Sequence, residues 1–313
     1  MFLGFVLFGS SSVAHEKGKS AQDLYNLSQL YRAANPSAGD HLTRSSRVAE
    51  LLDEIARLPG VRGTPAGRAI TDAAVERYEA VVSTRAEAIV GVVGLLAADG
   101  RTADAFGRIE HFGRYLPARV RSAAGLAIVR AGGASEKQAA MVLGWLDECL
   151  AEHPDSAALR MSRGEFLAMR NDLAGAAAEY QKICDAEPRN VVALNNLAWI
   201  LSADPATAEQ ALELVTRATR EVGLTGDLLD TRARVRITLR QFADAERDLN
   251  DAIRLEPTPL RWFHLALSRL GQTPPKTDDA AKAFQEALRR GLEQRNVHPA
   301  DRGTFDSLAT GTK

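Results

Sequence analysis

Much of what marks a catalytic, redox or membrane protein is scarce in this 313-residue sequence. There are two cysteines, Cys149 and Cys184. Two are too few for a disulfide framework and form no metal-ligand spacing. Both lie in apolar helical stretches, so buried free thiols are expected. Aromatic residues make up only 6% of the chain. The apolar content rests on alanine, leucine and valine rather than on β-branched and aromatic runs, which favours closely packed helices. An excess of one charge is also missing. The formal net charge is −1, so nothing global draws the chain to nucleic acid or to an anionic membrane. No apolar run, Phe2–Phe8 included, is long enough to cross a bilayer.

Catalytic motifs are equally scarce. The histidines at 15, 41, 111, 153, 264 and 298 include no pair at i, i+4 and no companion cysteine cluster, so no metal site is expected. There is no G-x-S-x-G elbow. "GKS" at Gly18–Ser20 ends like a phosphate-binding loop, but the required first glycine is replaced by Val13. No cofactor, no nucleic acid and no small-molecule substrate is expected, and the chain reads as a non-enzyme. The run "TRARVRITLR" carries arginines at 232, 234, 236 and 240 without an acid. They point to different sides of a helix, and Asp244, Glu246 and Asp248 follow, so a solvated or ion-paired face is expected there.

What is present is enough apolar material for a core, 45% hydrophobic against 25% charged. The N-terminal "MFLGFVLFGSSSVAHEKGKS" has a short apolar run, Phe2–Phe8, and a small-residue Ser12-Val13-Ala14. Two features of a secretory signal are there, and the basic region before the run is not. Two readings stay open. Either residues 1–14 are a signal and the protein is exported or periplasmic, or they are an ordinary helix fragment or a misassigned start and the protein is cytoplasmic.

The prolines reveal an internal repeat. Pro154 and Pro188 are 34 residues apart, and Pro257 follows Pro188 by 69, close to two such steps. At fixed offsets before Pro188 stand Ala176, Tyr180 and Ile183. Before Pro257 stand Ala245, Leu249 and Ala252, and before Pro117 stand Ala105, Ile109 and Phe112. Ala280, Phe284, Ala287 and Ala211, Val215, Ala218 repeat the order without proline. Small, bulky, apolar at i, i+4, i+7 is one helical face. A second helix precedes each, as in Leu194, Leu197, Ala198 and Leu201. A helix pair of this kind cannot bury its apolar faces alone, but a stack of pairs buries one continuous core.

This unit resembles the tetratricopeptide repeat family, with its 34-residue W-x₂-L-G-x₂-Y…A-x₃-F…P pattern. The best match is Ala157–Asn190, with Gly164, Leu167, Ala176, Tyr180 and Pro188. Six units follow in register over residues 86–293, beginning near Ala86, Val120, Ala157, Val191, Gly226 and Leu260. Residues 20–85 hold a divergent repeat region, with Leu24, Leu27, Ser28 and Tyr31 in the family's spacing and Ser46–Arg57 as a second helix. Residues 1–19 read as a signal peptide or a disordered N-terminus, and 294–313 as a C-terminal cap and tail in which Phe305 and Leu308 cover the last pair. Arg163 and Arg232 stand where the family has leucine, so looser pairs are expected there. The resemblance implies an all-α, right-handed superhelical solenoid of antiparallel helix pairs.

It also implies a function. In this family a stripe on the first helix of each pair, beside the core stripe, lines a groove that holds a peptide. By register that stripe is Met161 and Glu165, Asn195 and Trp199, Asp230 and Arg234, then His264 and Ser268. The resemblance therefore implies a protein–protein interaction scaffold or adaptor with a protein or peptide partner. The alternatives are a structural or regulatory segment of a larger assembly, at a bacterial envelope if the signal is real, and an enzyme built on helical repeats. For Trp199 the residues leave two roles open: an anchor for a partner's apolar side chain, or packing between neighbouring first helices.

Overall fold

The computed structural model describes residues 64–311. The N-terminal apolar run and the expected divergent repeat at Leu24–Tyr31 and Ser46–Arg57 lie outside the described residues. Among the described residues there are fourteen α-helices and no strand. They fall into two compact units that divide between Met169 and Arg170.

The first unit contains α1 (Pro65–Val82), α2 (Ala88–Ala98), α3 (Thr102–Phe112), α4 (Ala118–Arg130), α5 (Glu136–Glu152) and α6 (Ala157–Met169). Helix α1 packs on α2; α2 and α3 form a pair, as do α4 and α5; the first helices α2, α4 and α6 touch in succession. The second unit begins with α7 (Leu173–Ala186). Three pairs follow: α8 (Val191–Leu201) with α9 (Ala208–Val222), α10 (Gly226–Thr238) with α11 (Phe242–Leu255), and α12 (Pro259–Leu270) with α13 (Thr277–Arg289). Here too the first helices α8, α10 and α12 lie side by side. A segment with short 3₁₀ turns at Gln294–Asn296 and Pro299–Asp301 leads to the last helix, α14 (Arg302–Thr310).

Local sequence sets these boundaries. Asp172, Asn190, Thr225 and Thr258 each accept a hydrogen bond from the backbone N–H three residues on, satisfying a donor that the first helical turn leaves free. Ser135 and Gln138 close a full capping box ahead of α5. Pro154, Pro188 and Pro257 fall in the links that end α5, α7 and α11. The tight turns between successive helices need a left-handed residue, supplied by Gly100, Asn171 and Arg240.

The repeat triplets form the core. Ala176, Tyr180 and Ile183; Ala211, Val215 and Ala218; Ala245, Leu249 and Ala252; and Ala280, Phe284 and Ala287 are all buried. Ala105 and Ile109 are buried as well, but Phe112 is half-exposed where α3 runs into a 3₁₀ turn. Gly125 on α4 lets α5 approach: a Cβ there would meet Val142 Cγ2 at 2.5 Å. In the pair containing Arg232, charge adds to the apolar contact of Ala233 with Ala245 and Leu249. Asp248 of α11, 4% exposed, takes two hydrogen bonds from Arg232 at 2.7 and 2.8 Å and one from Arg236 at 2.6 Å. Two guanidinium groups on α10 are thereby tied to one carboxylate on its partner helix, which accounts for half of the arginine run. Arg163 of α6 instead reaches back to Asp147 of α5, the helix before it, at 2.7 Å.

Candidate functional site

Each first helix presents its two stripe residues one turn apart, so they share a face. In the first unit these are Met161 and Glu165 on α6. Met161 is half-buried, whereas Glu165 is buried and its carboxylate is held by Arg130 of α4 through two hydrogen bonds of 2.5 Å. In the second unit the remaining six residues form two rows across α8, α10 and α12. One row is Asn195, Asp230 and His264; the other is Trp199, Arg234 and Ser268. Within the first row, His264 Nδ1 and Asp230 Oδ1 are 2.6 Å apart. Ser268 is fully buried and donates to the Leu265 carbonyl of its own helix. Arg234 Nη1 donates to Thr238 Oγ1, which in turn donates to the Ser202 carbonyl at the end of α8.

The C-terminal segment covers this face. The His298 ring lies against Trp199 of α8, with centroids 4.7 Å apart at an interplanar angle of 63°. Asp301 Oδ2 is 2.8 Å from Nη2 of Arg234 on α10, an ion pair. Further along, Phe305 of α14 packs on Phe263 of α12 and Phe284 of α13, with centroids 6.0 and 5.4 Å away. Leu292, Val297 and Phe305 belong to the same apolar cluster as Ala245, Leu249 and Phe263. Consequently Arg234 is 2% exposed and His298 3%, although both are polar.

Burial sets the charges here. It strips the water that a charged His298 ring needs, and Arg234, His264 and Arg302 oppose another positive charge, so its pKa falls to about 4. The ring is therefore neutral near pH 7. Burial also pushes the Arg234 guanidinium below its ordinary value, against the pull of Asp301 and Asp230. Satisfaction is incomplete. His264 Nε2, His298 Nε2, Arg234 Nε and Asn195 Oδ1 are all buried without a hydrogen-bond partner. Each such atom costs about 1–3 kcal/mol relative to a satisfied one.

Sequence reasoning did not find His298 and Asp301. Their local signal is a helix start: His298 accepts from the Ala300 N–H, Pro299 opens a 3₁₀ turn, and Asp301 precedes α14. Nothing in those few residues states which surface the segment folds back on. Among the described residues, no group of histidine, cysteine and acidic side chains could hold a metal ion. Burial pushes the Cys184 thiol up to about 11, so it is a poor nucleophile at neutral pH.

The chain is similar to a tetratricopeptide repeat protein from Parabacteroides merdae, at 16% identity over 84% of this chain and 98% of that one, with a TM-score of 0.58. It also matches a thermophilic TPR protein from Thermus thermophilus, at 20% identity over 59% of this chain and 95% of that one, with a TM-score of 0.47. No protein-family model and no curated protein matches the sequence. The first likeness, with the stacked helix pairs, shows a tetratricopeptide repeat fold.

Proposed function

We propose that the protein is a non-catalytic interaction scaffold that binds a protein or peptide segment across the first helices of its second unit. The observation that carries this reading is the cover over Trp199 and Arg234. Two neighbouring first helices present an aromatic face and a guanidinium in one row, and this row already receives an irregular piece of polypeptide, residues 298–301. A surface that seats one such segment has the shape and donors to seat another. Trp199 is the anchor of the site, because a rigid ring buries a large area at small conformational cost. Asn195 and Asp230 flank it as hydrogen-bonding groups, and Met161 supplies a separate apolar contact in the first unit.

The test is affinity purification from the native host with the wild-type chain and Trp199→Ala in parallel. The reading expects a partner that the wild type retains and the folded variant loses, with binding weakened by about 2 kcal/mol or more. A partner retained equally by both removes the site, and no specific partner from the wild type favours a structural role in a larger assembly.

A further inference from the structure

We propose that residues His298–Phe305 are a tethered occupant of this binding face, and that the partner displacing them is a helical segment of the same chemistry: a carboxylate that pairs with Arg234 and, four residues later, an aromatic ring that seats against Phe263 and Phe284. The proposal rests on the binding face described above and specifies what it accepts.

The occupant is read from its contacts. Asp301 and Phe305 stand at i and i+4, one helical turn apart, and each reaches a different element: Asp301 meets Arg234 of α10, Phe305 meets α12 and α13. Arg234 is buried and has no other carboxylate at ion-pair distance among the described residues. A ligand that covers this face without an acid leaves that guanidinium desolvated and unpaired, which is strongly disfavoured. A ligand without the ring leaves Phe263 and Phe284 facing water at the end of the stack. The acid and the ring are thus demanded by the face itself.

The seam between segment and face is poorly satisfied, which makes the occupant replaceable. Apolar contacts through Val297 and Phe305 hold the segment down. Yet Nε2 of His298 and Nε of Arg302 on the tail, and Nε2 of His264 and Nε of Arg234 on the face, are buried with no hydrogen-bond partner. Leaving the face returns the two tail atoms to water, and a partner that gives Arg234 Nε an acceptor gains what the tail does not supply. Because the tail is covalently attached, its effective concentration at the face is in the millimolar range. The affinity of a partner is therefore lowered by the fraction of time the tail is seated.

The experiment uses the full chain and a synthetic peptide of residues 294–311, followed by hydrogen exchange and fluorescence anisotropy. Saturating peptide is expected to speed exchange at the chain's own amides 298–305 at least tenfold, as the two copies compete. A peptide carrying Asp301→Ala, and one carrying Phe305→Ala, should each bind at least tenfold more weakly. In the full chain, His298→Ala with Asp301→Asn should bind the intact peptide at least tenfold more tightly than the wild type does. Unchanged exchange at peptide saturation of the wild-type chain overturns the proposal, as does equal binding of the intact and Asp301→Ala peptides. Neither result depends on a variant folding. Peptide competition without any cellular partner leaves the tethered occupant standing and removes the scaffold reading. A cellular partner lost from Trp199→Ala, with no peptide competition, does the reverse.

Discussion

Phe305→Ala tests how the C-terminal helix is held. The ring is 9% exposed and meets Phe263 at 6.0 Å and Phe284 at 5.4 Å, the latter edge-on at 80°. Burying such a ring is worth about 1.5–3 kcal/mol by area alone. Truncating it leaves a cavity, which raises the usual cost to about 3–5 kcal/mol. The site is at the end of a helical stack and can partly relax, so about 3 kcal/mol is expected. An upper bound also applies: once α14 undocks there is nothing more to lose, so the cost cannot exceed the free energy that docks the segment. In native-state hydrogen exchange, this converts to roughly hundredfold faster exchange at the last-turn amides of α14. Amides in α8 of the same unit should change far less, because each repeat touches only its neighbours. Unaltered protection in α14 would refute the claim that Phe305 holds the cap.

Ala245→Leu adds bulk at a fully buried position facing the cluster of Leu249, Phe263 and Phe284, and is expected to lower stability by about 1–3 kcal/mol in urea melts; an unchanged midpoint contradicts the repeat register. Arg240 is an exposed residue held at φ 58°, so Arg240→Gly relieves left-handed strain, and thermal melts should show a gain of about 0.5–1 kcal/mol after the entropy of glycine is set against it. His298 titrates near 4 when buried and near 6.5 when free, so docking of the C-terminal segment is complete above pH 6.5 and weakens as pH falls toward 4, by up to about 3 kcal/mol. The groups facing it are Arg234, His264 and Arg302, with Asp301 and Asp230 beside them. His298→Gln should flatten this pH dependence in exchange measured at amides 298–305, and an equally steep profile in the variant excludes His298 as its source.

The helices were legible because the alanine, bulky residue and proline positions report directly on close packing and chain reversal. Ala176, Tyr180 and Pro188 are each explained by a contact or a turn within a few residues of themselves. The role of Arg232 was not legible. A position that usually carries leucine implied a loose pair, but Asp248 lies sixteen residues away on the facing helix and closes the gap with charge. Likewise, the row through Trp199, Arg234 and Ser268 follows from helical geometry and register. That residues 298–301 lie across it does not, because a fold-back of this kind is fixed by tertiary contacts with helices 67 to 99 residues earlier in the chain. The tail's apolar residues Phe305 and Leu308 could be read as a cap, whereas nothing local marks His298 or Asp301 as reaching the first-helix face.

The central claim is that the face around Trp199 holds polypeptide, the chain's own at rest and a partner's in use. Site-specific replacement of Trp199 by a photoreactive benzoylphenylalanine, irradiated in the native host and read by peptide mass spectrometry, addresses it directly. The account predicts cross-links to residues 294–301 of the same chain, together with cross-links to one segment of another protein that carries an acid and an aromatic four residues apart. Cross-links to neither, with the replaced protein folded, would contradict it.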